Sequence, residues 1–412
     1  MSTDNTQTFP EGAGNGDART AASGPAASGI QDIAFATGHY SFDLAHLAEK
    51  QGIDVNKYYI GIGQEKMSLP AEDEDIVTMG AAAAQRIIDR NGTDGIRTLL
   101  FATESGIDQS KSAGVYVHGL LDLPREVRTI ETKMACYGGI GALQMALGIV
   151  ARNPEEKVLV IAADVARYDL ETSGEPTQGA AAVAFLVQAD PDILAIEPAQ
   201  GVYTLDVQDF WRPNYRNTAL VDGKFSVGAY LDALVGAWHD YRAHGGVDFD
   251  DIDWFCYHQP FTKMAVKAHV RLTEEAGTPL EKADAAAALA PTFGYNQQLG
   301  NSYTASIFLG FLALLDSDQE IPGERVGFFS YGSGAVSEFF VGVIQPGYRD
   351  HLRVQEHQGI LDAREPIGYD QYRALHPGTF VEAQENFTTE RRTRSPFRFE
   401  GVEEGSRLYG RA

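Results

Sequence analysis

Two cysteines, Cys136 and Cys256, are all that 412 residues contain. So few rule out the disulfide framework of a secreted protein, and a reducing, cytoplasmic setting is expected. Positive charge is scarce too: 33 Lys and Arg against 57 Asp and Glu leave a net charge of −24. With no block of Lys and Arg in the chain, a phosphate backbone would be repelled, which excludes nucleic acid as a partner. Apolar runs such as Val158–Ala163 are too short to cross a bilayer, and the first 29 residues carry no basic stretch leading into an apolar one. Neither a membrane anchor nor a targeting segment is predicted. The GxxxxGK[ST] and GxGxxG loops are missing, so nucleotide hydrolysis and dinucleotide redox have no motif behind them. No histidine pair has metal-ligand spacing, since His239 and His244 stand five apart, and no metal is expected.

What is present is a globular composition, 44% hydrophobic and 10% aromatic. Residues 1–29, almost all small or polar, cannot bury enough apolar area to offset chain entropy and are predicted to be a disordered tail, to which no function is assigned. From residue 30 short apolar runs alternate with helical patterns, the mark of an α/β protein. Strands are predicted at Arg97–Thr103, Arg125–Glu131 and Val158–Ala163, with a helix from Ile76 and another after Cys136. The second helix is crowded with small residues and is expected to be central and buried. The later half repeats this order: a strand Asp251–Tyr257 ending at His258, a helix Ser302–Leu315 after Asn301, and a strand Val326–Phe329 running into Ser330-Tyr331-Gly332-Ser333-Gly334. A duplicated unit is the economical explanation. It divides the chain into halves at 30–195 and 196–348, with a C-terminal extension, 349–412, packing on the core.

Packed across a pseudo-twofold axis, such halves would bring Glu104 and Cys136 opposite His258 and Asn301. Cys136 stands at a strand-to-helix junction, where the helix end favours a thiolate; a nucleophile and a buried core cysteine both fit the position. Cys256, mid-strand, reads as core. Glu104 ends an apolar strand, where burial would raise its pKa toward a general base's range; a solvated loop glutamate fits the local sequence too. His258 ends another apolar strand and is either functional or a satisfied structural histidine. Beyond it Lys263, Lys267 and Arg271 fall at i, i+4 and i+8, one basic stripe on a helix. In so acidic a chain that stripe suits an anionic, phosphate-bearing substrate, although a solvated helix face shows the same spacing.

Eight motifs in order, among them Ala102-Thr103-Glu104-Ser105, Ala135-Cys136-Tyr137-Gly138-Gly139, Gly174-Glu175-Pro176-Thr177-Gln178-Gly179-Ala180, Asp209-Phe210-Trp211-Arg212-Pro213, His258-Gln259-Pro260-Phe261-Thr262-Lys263-Met264 and Gly300-Asn301-Ser302-Tyr303, make residues 30 to 410 resemble the short bacterial 3-hydroxy-3-methylglutaryl-CoA synthases of the thiolase superfamily. The resemblance implies a five-layered αβαβα fold of two similar halves and a homodimer. It implies that Cys136 takes acetyl from acetyl-CoA, that Glu104 removes a proton from the acetyl methyl, and that His258 polarises the C3 carbonyl of acetoacetyl-CoA. Asn301 and Ser333 would line the acyl pocket, while Asp164, Tyr168, Thr177 and Asp209 would hold the site in shape or contact substrate.

Lys263 and Lys267 become candidates for the CoA phosphates, and backbone N–H groups at Cys136 and in Gly332-Ser333-Gly334 for the oxyanion donors. No cofactor is called for, since the CoA thioesters are substrates. Ile140 departs from the small or hydroxylated residue often found there. A β-branching synthase of polyketide assembly, taking acetyl from a carrier protein, is the alternative inside the fold; a non-catalytic assembly partner is the alternative outside it.

Overall fold

The computed structural model describes residues 27–377 and 386–412. The tail predicted over 1–29 therefore lies outside the described residues as far as residue 26. Its last two positions belong elsewhere: Ser28 and Gly29 open strand β1 (Ser28–Thr37) and pair with Ala189 and Gln188. The apolar run that begins at Ile30 carries two small residues into the ladder with it.

Eight more strands join β1: β2 (Ile96–Ala102), β3 (Arg128–Thr132), β4 (Lys157–Ala166), β5 (Gly179–Ala189), β6 (Leu194–Thr204), β7 (Trp254–Tyr257), β8 (Arg325–Gly332) and β9 (Val336–Ile344). Their order is β3-β2-β4-β5-β1 and then β6-β9-β8-β7. The repeat read from the sequence is visible in the pairing. In the first set β2 and β4 are parallel, β4 and β5 antiparallel, β5 and β1 antiparallel. In the second β7 and β8 are parallel, β8 and β9 antiparallel, β9 and β6 antiparallel. Only two residue pairs, Gly29 with Ala195 and Ile30 with Leu194, join the sets. The edge strand β3 has no counterpart in the second set.

The parallel strands are nearly continuous in apolar residues because both faces are covered. Along β4 the alternation of side chains sends Val158, Val160 and Ala162 into one core and Leu159, Ile161 and Ala163 into another. The second of these cores lies under α1 (Ile76–Asn91) and α2 (Ala113–Leu120). The first lies between the two sets of strands and is filled by α3 (Gly138–Arg152) and a later helix, Ser306–Leu315. A third core joins the outer face of β8 and β9 to α4 (Gly223–Ala243) and α5 (Thr262–Glu275). Helix, sheet, helix, sheet, helix is the five-layered arrangement that the resemblance implied. Helix Ser306–Leu315, hereafter α6, is buried at every position. Phe308 stacks obliquely on Phe185 of β5 with ring centroids 4.6 Å apart; burial of each such ring stabilises the fold by roughly 1.5–3 kcal/mol.

The small residues of α3 do allow close approach. A Cβ on Gly139 would sit 2.6 Å from the Thr304 carbonyl oxygen, so the two central helices could not meet there with any larger residue. Burial, however, is one-sided. Ile140, Leu143 and Ala146 are enclosed, whereas Met145 is 53% exposed and Gly148 faces open space. Ile140 is thus an inter-sheet core residue.

The chain beyond 349 lies against both halves: His357 is 2.5 Å from Asp316 and Arg364 donates to the Gln298 carbonyl in the second, and the first half holds it through ion pairs. Arg353 pairs with the buried Asp32 at 2.7 Å, and Arg407 and Tyr409 both reach Asp75 at the start of α1. Asp75 also caps that helix through the N–H groups of Val77 and Thr78. No helix among the described residues is long and apolar enough to cross a membrane.

Candidate active site

Glu104, Cys136 and His258 all follow the carboxyl ends of strands, β2, β3 and β7, which is where parallel sheets leave room for a ligand. Cys136, His258, Asn301, Ser333, Tyr168 and Thr177 line one cavity of about 620 Å³. Glu104 meets that cavity through Cys136, whose Sγ–H donates to Oε1 at 3.2 Å. The fold thus brings residues as far apart in the chain as Glu104 and Ser333 to one place. Ala135, just before the cysteine, and Tyr303, in the facing turn, hold positive φ values of 45° and 44°. Non-glycine residues rarely adopt that conformation, and here it flanks the reactive thiol on both sides. At Gly332 a Cβ would lie 2.5 Å from the Met134 carbonyl oxygen, so glycine lets the loop after β8 press against the cysteine loop.

Electrostatics differ from the expectation at one point. A helix end was expected to favour a Cys136 thiolate, but the thiol is pushed well above its ordinary value by burial and by the Glu104, Asp164 and Asp209 carboxylates. At this buried position those charges outweigh the partial charge of α3, whose N-cap residue Tyr137 makes no side-chain cap. Glu104 is only partly exposed, and burial followed by the charge of Asp164 raises its carboxyl to about 8. Thiol and carboxyl cannot both ionise at 3.2 Å, so the resting pair keeps a proton between them. His258, 2% exposed, is driven by burial down to about 3 and is therefore a neutral imidazole. Its Nδ1 is buried with no hydrogen-bond partner among the described residues.

Of the four residues expected to hold the site in shape or contact substrate, Asp164 and Asp209 do not line the cavity. Asp164 is fully buried, and its Oδ1 accepts from the Glu104 and Ser105 N–H groups and from the Thr103 and Ser105 hydroxyls. Its other oxygen accepts from Thr304 of the facing half, at 2.5 Å from the hydroxyl and 3.1 Å from the N–H. Asp164 therefore fixes the Glu104 loop and ties it to the second half. Asp209 does the same for the Ser333 turn: it accepts from Tyr331, Ser226 and the Gly334 N–H. That bond also removes Gly334 from the proposed oxyanion donors. Replacing Asp164 by alanine would take an acceptor from six donors, and the Thr103 hydroxyl and the Glu104 and Thr304 N–H groups have no second one among the described residues. We expect a loss of about 3–5 kcal/mol in chemical denaturation, with activity lost alongside.

The basic stripe is split by the fold. Arg271 is engaged by Glu275 at 3.2 Å and Glu274 at 3.8 Å. Lys263 and Lys267 lie outside the cavity lining but near it. Lys267 Nζ is 5.5 Å from the ring centre of Phe261, which lines the cavity, and the Lys263 N–H bonds Ile62, which lines it as well. The cation that does line the cavity is Lys224, at the start of α4.

Sequence reasoning also passed over the aromatic wall of Phe210, Tyr230, Tyr303 and Tyr331, and over Arg212, which donates to the Glu104 carbonyl oxygen. Glu338 was missed too. It accepts from Tyr137 and Gln144 of α3 at 2.7 and 2.5 Å, and burial raises it to about 7. Tyr303 and Arg212 sat inside quoted motifs; Glu338 had no local signal.

A cysteine paired with a carboxyl, facing a neutral histidine between two repeated α/β halves, defines a thiolase-superfamily enzyme that condenses acyl groups. Family models agree on a narrower assignment. Hydroxymethylglutaryl-coenzyme A synthase N terminal matches residues 24–192, and the corresponding C-terminal model matches 194–278 and 279–396. The chain belongs to the hydroxymethylglutaryl-CoA synthase family. It is 40% identical over 352 residues to the hydroxymethylglutaryl-CoA synthase of Enterococcus faecalis, covering 85% of this chain and 92% of that one. A crystal structure of HMG-CoA synthase complexed with CoA matches at 35% identity and a TM-score of 0.86, over 94% of this chain and all of that one. The HMG synthase of the curacin biosynthetic pathway, in complex with holo donor-ACP, matches at 29% identity and a TM-score of 0.89 over the same shares. Backbone shape thus barely separates the two kinds of enzyme, and sequence identity is higher to the first.

Proposed function

We propose that this enzyme acts on free CoA thioesters, joining acetyl-CoA, acetoacetyl-CoA and water to give 3-hydroxy-3-methylglutaryl-CoA and CoA. The Cys136–Glu104 hydrogen bond inside a cavity shared with neutral His258 carries this reading. Cys136 sulfur attacks the acetyl-CoA carbonyl, CoA leaves with the thiol proton, and an acetyl-cysteine remains. Glu104 as carboxylate then takes a proton from the acetyl methyl, and the enolate carbon bonds to C3 of acetoacetyl-CoA. The C3 oxygen, held by His258 acting as a neutral hydrogen-bond donor, gains the proton that Glu104 took, which restores the carboxylate; water cleaves the cysteine thioester, giving the free carboxylic acid and restoring the thiol. Every bond is accounted for by the two thioesters and water.

Asn301, Ser333, Tyr168 and Thr177 shape the acyl pocket, and Lys224 joins Lys263 and Lys267 as a candidate for the CoA phosphates. The 40% identity to the Enterococcus faecalis enzyme, against 33% to the polyketide 3-hydroxy-3-methylglutaryl-ACP synthase PksG of Bacillus subtilis, favours CoA over a carrier protein. The open face of α3, with Met145, and the unpaired edge of β3, with Ile130 45% exposed, support a homodimer. The few cysteines support a cytoplasmic setting.

The test uses labelled acetyl groups on CoA and on a carrier protein, with the label located by peptide mass and chased with acetoacetyl-CoA. Rapid labelling of Cys136 from CoA and release of the labelled product are expected. Acylation far faster from the carrier protein would transfer the chain to the polyketide type.

A further inference from the structure

A second cavity, of about 250 Å³, lies away from the catalytic one, between α1, the extension helix Val354–Asp362 and the segment Arg394–Pro396. It contains three guanidinium groups, Arg86, Arg364 and Arg394, a concentration of positive charge in a chain of net −24. Their bonds leave capacity unused. Arg364 is 9% exposed and gives Nε and Nη1 to the carbonyls of Leu361 and Gln298, with no carboxylate in its salt-bridge range among the described residues. Among the described residues Arg394 bonds only the Ala363 carbonyl. Arg86 Nε lies 2.8 Å from Glu356 but is too poorly aligned to hydrogen-bond it, and Glu356 is shared with Arg353. The other carboxyl in the lining, Glu74, is spent on the N–H groups of His39 and Ala71 and on the Thr393 hydroxyl.

Of the three, Arg364 is the buried cation without an anionic partner; Arg86 is half-buried beside Glu356, and Arg394 is exposed at the rim. Burying such a cation is costly, and planar guanidiniums match phosphate oxygens in pairs. We propose that this cavity is a binding site for a small phosphate dianion, free or as the head of a small ester, which clamps the C-terminal extension onto α1. The volume takes a pyrophosphate or a three-carbon phosphate ester and is too small for CoA. The proposal does not depend on the catalytic assignment, because none of the three arginines lines the catalytic cavity.

The test measures thermal unfolding of the full chain, kept saturated with CoA so that the catalytic cavity is occupied, against increasing inorganic phosphate or glycerol 3-phosphate. A saturable rise in Tm of about 3 °C is expected at a hundredfold excess over Kd. The rise should shrink at least fivefold in Arg364→Gln and in Arg394→Gln. Arg394→Gln is on the exposed side and keeps the test open if Arg364→Gln folds poorly. A preference between the two anions distinguishes a free from an esterified phosphate. No rise in the wild-type chain, or an equal rise in both variants, would overturn the proposal.

Discussion

Cys136→Ala is expected to reduce condensation by at least about 10⁴-fold and to abolish acetyl labelling of the protein, because no other group near Glu104 can form a thioester. The fold should survive the change. Cys136 is small, and among the described residues its only side-chain hydrogen bond is to Glu104. Removing the thiol also removes the hydrogen bond that holds the Glu104 pKa down, so the variant's Glu104 should titrate still higher than in the parent. Cys256→Ala is the control. That residue lies in β7 inside the inter-sheet core, and its replacement should cost stability while leaving acetyl labelling intact. Denaturant titration beside a labelling assay separates the two outcomes; labelling that survived in Cys136→Ala would end the nucleophile assignment.

Glu104→Gln should separate the two halves of the reaction. Acetylation is expected to persist, since the Glu104 charge is the largest influence after burial that keeps the Cys136 thiol protonated, and its removal makes the thiol more acidic. Condensation should fall by about 10²–10⁴-fold for want of the base that generates the enolate. In the parent enzyme the condensation rate should climb with pH through about 8, as Glu104 loses its proton, and this limb should vanish in the variant.

Stability should move the other way. The folded carboxyl titrates near 8 and the unfolded one near 4.5. Between those values the folded chain holds a proton that the unfolded chain has released, so the parent loses stability as pH rises. Glutamine has no such penalty. The variant should be more stable by about 2–4 kcal/mol at pH 8, allowing for the partial exposure of the residue, and equal to the parent near pH 4. Equal unfolding at both pH values would mean that the carboxyl is not held protonated by its site.

Much of the architecture could be read along the chain because it depends on local order. Strand, functional residue and helix recur in each half, and apolar runs of the right length mark strands covered on both faces. Cys136 and His258 were legible for the same reason: each ends a strand in a motif of its own. Glu338 was not, since its partners Tyr137 and Gln144 lie almost 200 residues away on another layer. Neither could the sequence tell that Asp164 and Asp209 support loops rather than touch substrate; both end up enclosed by donors from distant segments.

The cysteine count, the acidic balance and the ordered motifs are properties of composition and spacing alone, and no fold is needed to fix them. Tertiary structure decided the protonation of the Cys136–Glu104 pair, because only burial and the approach of distant carboxylates could overrule the helix end. It also decided which cations remain near a ligand: Arg271 is taken up by its own helix, Lys224 lines the catalytic cavity, and three arginines from separate segments gather at another. A charge acts through distance and dielectric, and the order of residues along a chain specifies neither.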